Sequence, residues 1–229
     1  GDKVFGLATI APSVRPCLVY VPQEALLDTQ SPPHHVIWDP LVWDQEGHTR
    51  LDWFVPSPDG SYVAASLSKH GSELGDAHIF EVSTGQCVDR GPRVNNGISG
   101  GHLRWLSDSM SFIYTAFRGP KAEGEPFSLY RHRLMEPWHN DICELSEVLP
   151  KMPFIMGFQH ERQTDRMLVR VWSGVTPLGE SYDIFVREAS GTWWILSQGG
   201  DGIVEGCLAS DGTIYLLSRK RSENGEVLA

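Results

Sequence analysis

The sequence has few cysteines, and they are widely spaced. Cys17, Cys87, Cys143 and Cys207 each lie at least 56 residues from the next. A zinc site needs ligands at short spacings, and a disulfide scaffold needs a denser set of cysteines. The sequence also lacks a glycine-rich phosphate loop and a dinucleotide-binding fingerprint. We therefore predict free thiols, a cytoplasmic location in a reducing compartment, no metal and no other cofactor.

Excess positive charge and long apolar runs are also missing. Nineteen lysines and arginines stand against 29 aspartates and glutamates, which gives a net charge of −10. Nucleic acids and anionic membranes bind clustered cations. A membrane-spanning helix needs about 18–20 apolar residues, whereas residues 17–21 form one of the longest apolar runs here. The sequence therefore predicts neither a nucleic-acid partner nor a membrane partner.

Helical periodicity is absent, and strand periodicity takes its place. No segment keeps an apolar face at helical spacing over three turns, whereas alternating apolar and polar residues recur throughout the chain. The 23 glycines and 15 prolines indicate many turns. These patterns predict an all-β protein. The alternating segments are residues 61–65, 77–82, 112–117, 166–172, 182–186 and 213–217.

Turns with an aspartate recur at a nearly regular spacing. Asp59, Asp108, Asp165 and Asp211 each precede a predicted strand, at intervals of 49, 57 and 46 residues. A second turn follows Asp59 and Asp165 by 26 residues in both cases. Two turns per unit, with strands on either side, give about four strands in each unit. Units of about 40–50 residues with four strands are typical of β-propeller blades.

The repeat predicts a single β-propeller domain, or a fragment of one, over residues 1–229. It has four complete four-stranded blades and a partial one. An antiparallel sandwich with coincidental turn spacing is the alternative architecture. The predicted blades span residues 3–39, 50–90, 98–145, 152–197 and, for the partial blade, 202–229.

A longer motif makes the assignment more specific. Residues 51–64 read LDWFVPSPDGSYVA, residues 67–73 read LSKHGSE, and a Thr84-Gly85 turn follows. Further along, residues 103–105 read LRW and residues 129–134 read LYRHRL. With these motifs the sequence resembles the amino-terminal propeller of the prolyl oligopeptidase family, and the similarity runs along essentially the whole chain.

The resemblance implies a seven-bladed propeller that covers an α/β-hydrolase catalytic domain of the same parent chain. In that family the hydrolase cleaves short peptides after proline, and the propeller excludes folded proteins. This chain would supply the first four or five blades and would contain no catalytic residue. We therefore expect it to be inactive alone, with the hydrolase domain and short peptides as its partners. A free-standing propeller that acts as a protein-interaction scaffold is the alternative function.

The resemblance also implies positions that face the substrate. Local alignment puts them near Phe112 and Ile113, at Met156, and around Val175 and Thr176. Packing inside a blade is the competing interpretation, and it is preferred for Phe112 and Ile113. For Met156 the two interpretations balance, because a flexible thioether suits an adaptable binding wall.

One short motif carries an apparent catalytic signal. Residues 97–101 read GISGG, which formally matches the G-x-S-x-G of a serine hydrolase around Ser99. A nucleophile elbow needs a buried strand before the serine and a helix after it. Here a strand-like segment follows instead. We therefore interpret the segment as a connection between blades.

Overall fold

The computed structural model describes residues 2–11, 14–27, 33–72, 74–94, 101–117, 127–145, 154–177 and 179–229. These residues form eighteen β-strands, one α-helix of four residues and two short 3-10 turns. This confirms the all-β prediction. No helix in the described ranges has both the length and the apolar character needed to cross a membrane.

The strands form five antiparallel sheets in which sequence neighbours pair. The first sheet contains β1 (Lys3–Thr9), β2 (Pro16–Pro22) and β3 (His35–Trp38), and helix α1 (Pro40–Trp43) follows it. The second contains β4 (Thr49–Pro56), β5 (Tyr62–Lys69), β6 (Asp76–Glu81) and β7 (Cys87–Arg93). The third contains β8 (Leu103–Trp105), β9 (Ser111–Phe117), β10 (Phe127–Arg133) and β11 (Ile142–Cys143).

The fourth sheet contains β12 (Phe154–Glu161), β13 (Arg166–Thr176), β14 (Gly179–Arg187) and β15 (Trp193–Ser197). The fifth contains β16 (Ile203–Leu208), β17 (Ile214–Ser218) and β18 (Glu226–Leu228). The three middle sheets have four strands each, which is consistent with propeller blades.

The first sheet differs from the sequence prediction. Its described residues form three strands, where four were predicted. The connection between β2 and β3 explains the difference. A 3-10 turn at Gln23–Leu27 begins directly after β2, and β3 does not start until His35. Gln23–Leu27 thus form a helical turn and not a further strand.

The chain divides into two compact units. The first comprises Gly1–Ala116 with Arg131–Asp141, and the second comprises Phe117–Tyr130 with Ile142–Ala229. Each unit has its own buried core.

The core of the first unit lies between its first two sheets. Leu18 and Ile37 of the first sheet pack with Val63 and Phe80 of the second, and each is at most 3% exposed. A single twisted sheet cannot bury both of its faces, so neighbouring sheets cover one another. Burial of apolar surface, at about 25 cal/mol per Å², is the main force that holds the sheets together.

The core of the second unit is built in the same way. Leu168 and Ile184 of the fourth sheet pack with Ile203 of the fifth. The Gln159 side chain adds a polar link. Its Nε2 donates to the Gly206 carbonyl at 2.8 Å, and its Oε1 accepts from the Leu208 amide at 2.9 Å.

Three of the four recurring turns use aspartate as the sequence predicts. In each, the carboxylate accepts the amide hydrogen of a residue two or three positions later, which fixes the turn. The pairs are Asp59 with Ser61 (2.9 Å), Asp108 with Ser111 (2.7 Å) and Asp211 with Thr213 (2.9 Å).

The turn at Asp165 has a different basis. Glu161 accepts the amide hydrogens of Gln163 and Thr164 at 2.9 and 2.8 Å. Asp165 itself adopts a positive φ of 55°. Its carboxylate lies 3.0 Å from His160 Nε2. Aspartate tolerates left-handed backbone better than most residues, so it can replace glycine at this position.

A buried histidine joins two carboxylates inside the first unit. The His132 side chain has no exposed surface. Its Nδ1 lies 2.8 Å from Asp141 Oδ1, and its Nε2 lies 3.2 Å from Asp89 Oδ2. The Trp138 ring stacks on the imidazole with centroids 3.7 Å apart, and its Nε1 donates to Asp89 Oδ1 at 2.7 Å.

The two carboxylates favour the protonated form of His132. Burial alone would lower the pKa of His132, but hydrogen bonds to Asp141 and Asp89, together with their charges, raise it. Only the imidazolium can donate from both ring nitrogens at once. Loss of the proton therefore removes the hydrogen bond from His132 to one of the two carboxylates.

We predict that His132→Gln lowers the free energy of unfolding by about 3 kcal/mol near pH 6, because it leaves buried carboxylates uncompensated. The contribution of a group with a raised pKa is complete below its unfolded value of about 6.5 and is lost as pH rises through the folded value. The difference between wild type and variant should therefore shrink towards pH 9. Urea unfolding followed by tryptophan fluorescence measures it.

His139→Gln is the matched control, because His139 is an exposed histidine in the 3-10 turn at Trp138–Asn140, which follows β10. It should unfold like the wild type at every pH. A His132→Gln variant with wild-type stability at pH 6 would show that the bridge contributes nothing.

Candidate functional site

Phe112 and Ile113, two of the positions expected to face a substrate, lie in the core of the first unit. Both belong to β9, and both are 0% exposed. The Phe112 ring packs edge-on against Trp105, with centroids 5.0 Å apart, and tilts against His132 at 5.2 Å. A side chain without exposed surface offers no contact to a peptide. In this chain both residues are therefore packing residues.

Met156 lies at an irregularity in β12. Ile155 pairs with Val171, and Gly157 pairs with the adjacent Arg170, so residue 156 is the extra residue of a β-bulge. The Met156 side chain lies outside the described part of the structure. Bulges redirect side chains and are frequent beside binding sites. The first strands of the second and fifth sheets, β4 and β16, also have bulges. They lie between Leu51 and Trp53 and between Ile203 and Glu205.

Val175 and Thr176 lie at the end of β13 in the second unit, in the same sheet as Met156. They pair with Glu180 and Gly179 of β14. A second bulge precedes them, between Trp172 and Gly174. Val175 is 75% exposed. The structure thus brings three of the five predicted residues onto neighbouring strands of one sheet.

A polar cleft of about 360 Å³ lies beside Val175 and Thr176. The Ser173 and Ser181 hydroxyl oxygens are 3.1 Å apart in its wall. The carboxylate of Asp183 accepts the Gly199 amide hydrogen at 2.6 Å. The described lining of the cleft comes from β13, β14 and the turn that follows β15. Its other lining residues are Gly174 and Gln198.

The cleft is suited to binding rather than to catalysis. Hydroxyl groups and a carboxylate can hydrogen-bond to the amide groups of an extended peptide. The described lining contains no histidine that could act as a base for Ser173 or Ser181. Val175 provides apolar surface next to these polar groups. The combination is appropriate for holding a peptide without reacting with it.

Sequence reasoning missed the polar part of this cleft. Ser173, Ser181 and Asp183 come together only through the strand register and the bulge at Trp172, which sequence alone does not reveal. The Gly199-Gly200 pair was an available signal, because paired glycines often mark a close approach of the backbone. An added Cβ at Gly199 would lie 2.3 Å from Ser173 Oγ and 2.6 Å from Ser181 Oγ.

Ser99 and the rest of residues 95–100 lie outside the described residues. The structure therefore adds nothing to the interpretation of the G-x-S-x-G match. Among the described residues, no group of three or more His, Cys, Asp or Glu side chains is arranged to hold a metal ion.

We predict that Gly199→Ala destabilises the second unit by about 1–3 kcal/mol, because the new methyl group overlaps two hydroxyl groups. Thermal unfolding measures the effect. Gly6→Ala is the control, because an added Cβ at Gly6 meets nothing within 4 Å. Equal melting temperatures for the Gly199→Ala variant and the wild type would contradict the close approach.

Comparison with known proteins identifies relatives. Residues 17–229 match the family model of the prolyl oligopeptidase N-terminal β-propeller domain. The chain is 27% identical to the prolyl oligopeptidase ophP of Omphalotus olearius over 148 residues, which is 58% of this chain and 19% of that protein.

Solved structures show the same fold. A prolyl endopeptidase, studied for the role of inter-domain dynamics in catalysis and specificity, matches 99% of this chain with a TM-score of 0.76 and 17% identity. Oligopeptidase B from Trypanosoma brucei, with covalently bound antipain, matches 99% with a TM-score of 0.71 and 14% identity. Prolyl oligopeptidase B from Galerina marginata matches 98%, with a TM-score of 0.68 and 14% identity.

The chain corresponds to only part of each relative. It spans 19% of the curated protein and 31–35% of the three solved chains.

Proposed function

Because this chain belongs to the prolyl oligopeptidase family, through the N-terminal β-propeller domain of these peptidases, we propose that it controls access of peptides to a catalytic domain. That domain would be an α/β-hydrolase of the same parent chain, and it would cleave short peptides after proline. The match to the family's propeller over residues 17–229 is the observation that carries the proposal. In the parent chain the propeller would have seven blades. The blades in this chain would have the boundaries that the sequence repeat predicts.

The division of labour follows from the chemistry of peptide cleavage. A serine, a histidine and an aspartate on the hydrolase domain would attack the peptide bond, and an oxyanion hole would stabilise the intermediate. The propeller would act before this step, by admitting only chains narrow enough to enter. Met156, Val175 and Thr176 would contact the peptide on its way to the catalytic serine. The exposure of Val175 and the polar cleft beside it support this role.

The state of the cysteines supports a cytoplasmic location. All four are free, and two of them, Cys17 and Cys87, have a thiol pKa raised chiefly by burial. Raised pKa values keep a thiol protonated and unreactive. Such thiols persist in a reducing compartment.

In the full-length protein, Val175→Asp should raise KM for a short proline-containing peptide about tenfold, because one apolar contact of about 1.4 kcal/mol is lost. The change should leave kcat nearly unaffected, because Val175 does not touch the reacting bond. Steady-state kinetics with a fluorogenic peptide measures both constants.

Val42→Asp is the matched control, because Val42 is an 82% exposed valine on α1, in the other unit. It should leave KM unchanged. If Val175→Asp also left KM unchanged, the proposed contact with substrate would be wrong.

The 229-residue chain alone should not hydrolyse proline-containing peptides, because the catalytic groups would lie on the hydrolase domain. Incubation of the purified chain with a fluorogenic peptide, followed over hours, checks this. Cleavage that Ser99→Ala abolishes would place a nucleophile in the propeller and would overturn the division of labour.

A further inference from the structure

A second cleft, of about 630 Å³, lies in the first unit. Its described lining comes from all four strands of the second sheet, from the connection between β5 and β6, and from Trp43 of helix α1. It shares no residue with the cleft beside Val175, which belongs to the second unit. Its volume falls in the range of sites that hold drug-sized ligands or several peptide residues.

The cleft is positively charged in a negatively charged protein. Lys69, Arg90 and Arg93 line it, and Asp76 is the sole acidic residue among the described residues of its wall. Asp76 accepts from Arg93 Nε at 3.1 Å, so this pair is neutral overall. Lys69 and Arg90 are exposed, and no salt bridge in the described part of the chain involves either of them. Among the described residues of the cleft, Lys69 and Arg90 are thus two positive charges without a carboxylate partner, whereas the chain as a whole has a net charge of −10.

Arg90 lies directly opposite His78 in the register of β6 and β7. The pKa of His78 is lowered, chiefly by burial and additionally by the positive charge of Arg90. A lowered pKa keeps the imidazole uncharged near neutral pH, so Arg90 is the cation at this place of the sheet. An anionic ligand would pair with this cation.

The cleft also has an apolar wall. The Arg90 guanidinium lies over the Trp43 ring, 5.0 Å from its centroid, and the same ring packs edge-on against Phe80 at 5.6 Å. The side chain of Leu67 lines the cleft nearby. A simple inorganic anion would use the cations but not this wall. A peptide with both acidic and apolar side chains would use both.

We propose that this cleft binds an acidic peptide segment. Carboxylates of the segment pair with Lys69 and Arg90, and an apolar side chain packs against Trp43 and Leu67. The site is independent of the function proposed above, because it needs neither the hydrolase domain nor cleavage after proline.

The direct test is binding to the full-length protein. The probe is a blocked five-residue peptide of glutamate and leucine without proline, and its counterpart has glutamine in place of each glutamate. Calorimetry at low salt should show binding of the acidic peptide and none of the glutamine peptide. The affinity should fall as salt is raised, because solvent-exposed charge pairs are screened.

Charge-reversal variants locate the site. Lys69→Glu and Arg90→Glu should each weaken binding of the acidic peptide about tenfold, and the milder Lys69→Gln should weaken it less. Arg162→Glu is the matched control, because Arg162 is an exposed arginine in the turn between β12 and β13. It should bind the peptide like the wild type. Circular dichroism confirms that each variant is folded.

Three results would overturn the proposal. Equal binding of the acidic and glutamine peptides would remove the role of charge. Equal weakening by Arg162→Glu and Lys69→Glu would show that only the overall charge matters. Inorganic phosphate that binds as tightly as the peptide would show a site for small anions. Each result concerns binding alone, so none depends on whether the protein is a peptidase.

Discussion

The structure depends on the packing of neighbouring repeats against each other within each unit. A repeat exposes two apolar faces, and the neighbouring repeat covers one of them. Within each unit, hydrogen bonds between side chains and the adjacent repeat fix this packing at equivalent places. The two residues joined by each of these hydrogen bonds are therefore about one repeat apart, at sequence separations of 46 to 50 residues. They include Trp105 with Val55, Ser109 with Asp59, Trp138 with Asp89, Trp193 with Glu144, and Arg166 with Gly212.

The surface available for binding consists of the parts of a repeat that the neighbouring repeat does not cover. In the second unit these parts are the bulged end of β13 and the cleft beside it. In the first unit they are the cationic cleft at the ends of β5 and β7. The buried faces, by contrast, contain residues such as Phe112, Ile113 and His132, which hold the repeats together. Function in a repeat fold thus belongs to strand ends, bulges and turns rather than to strand centres.

The repeat and its strands could be predicted because they follow from local physics. Alternation of side chains determines which face of a strand is buried, and aspartate with glycine determines the turns. Site residues were harder to predict, because alignment alone does not distinguish a buried strand residue from an exposed one. Phe112 and Val175 are both apolar residues in strands, but one is fully buried and the other is 75% exposed. The bulges at Met156 and Ser173 decide the direction of neighbouring side chains, and no sequence pattern indicated them.

We propose that this domain admits peptides by size before a hydrolase domain acts. The test compares cleavage of one proline-containing sequence by the full-length protein in two contexts, as a free short peptide and within a folded protein. We predict rapid cleavage of the free peptide and none of the folded protein, even where the sequence lies on an exposed loop. Comparable cleavage rates in the two contexts would show that this domain does not control access.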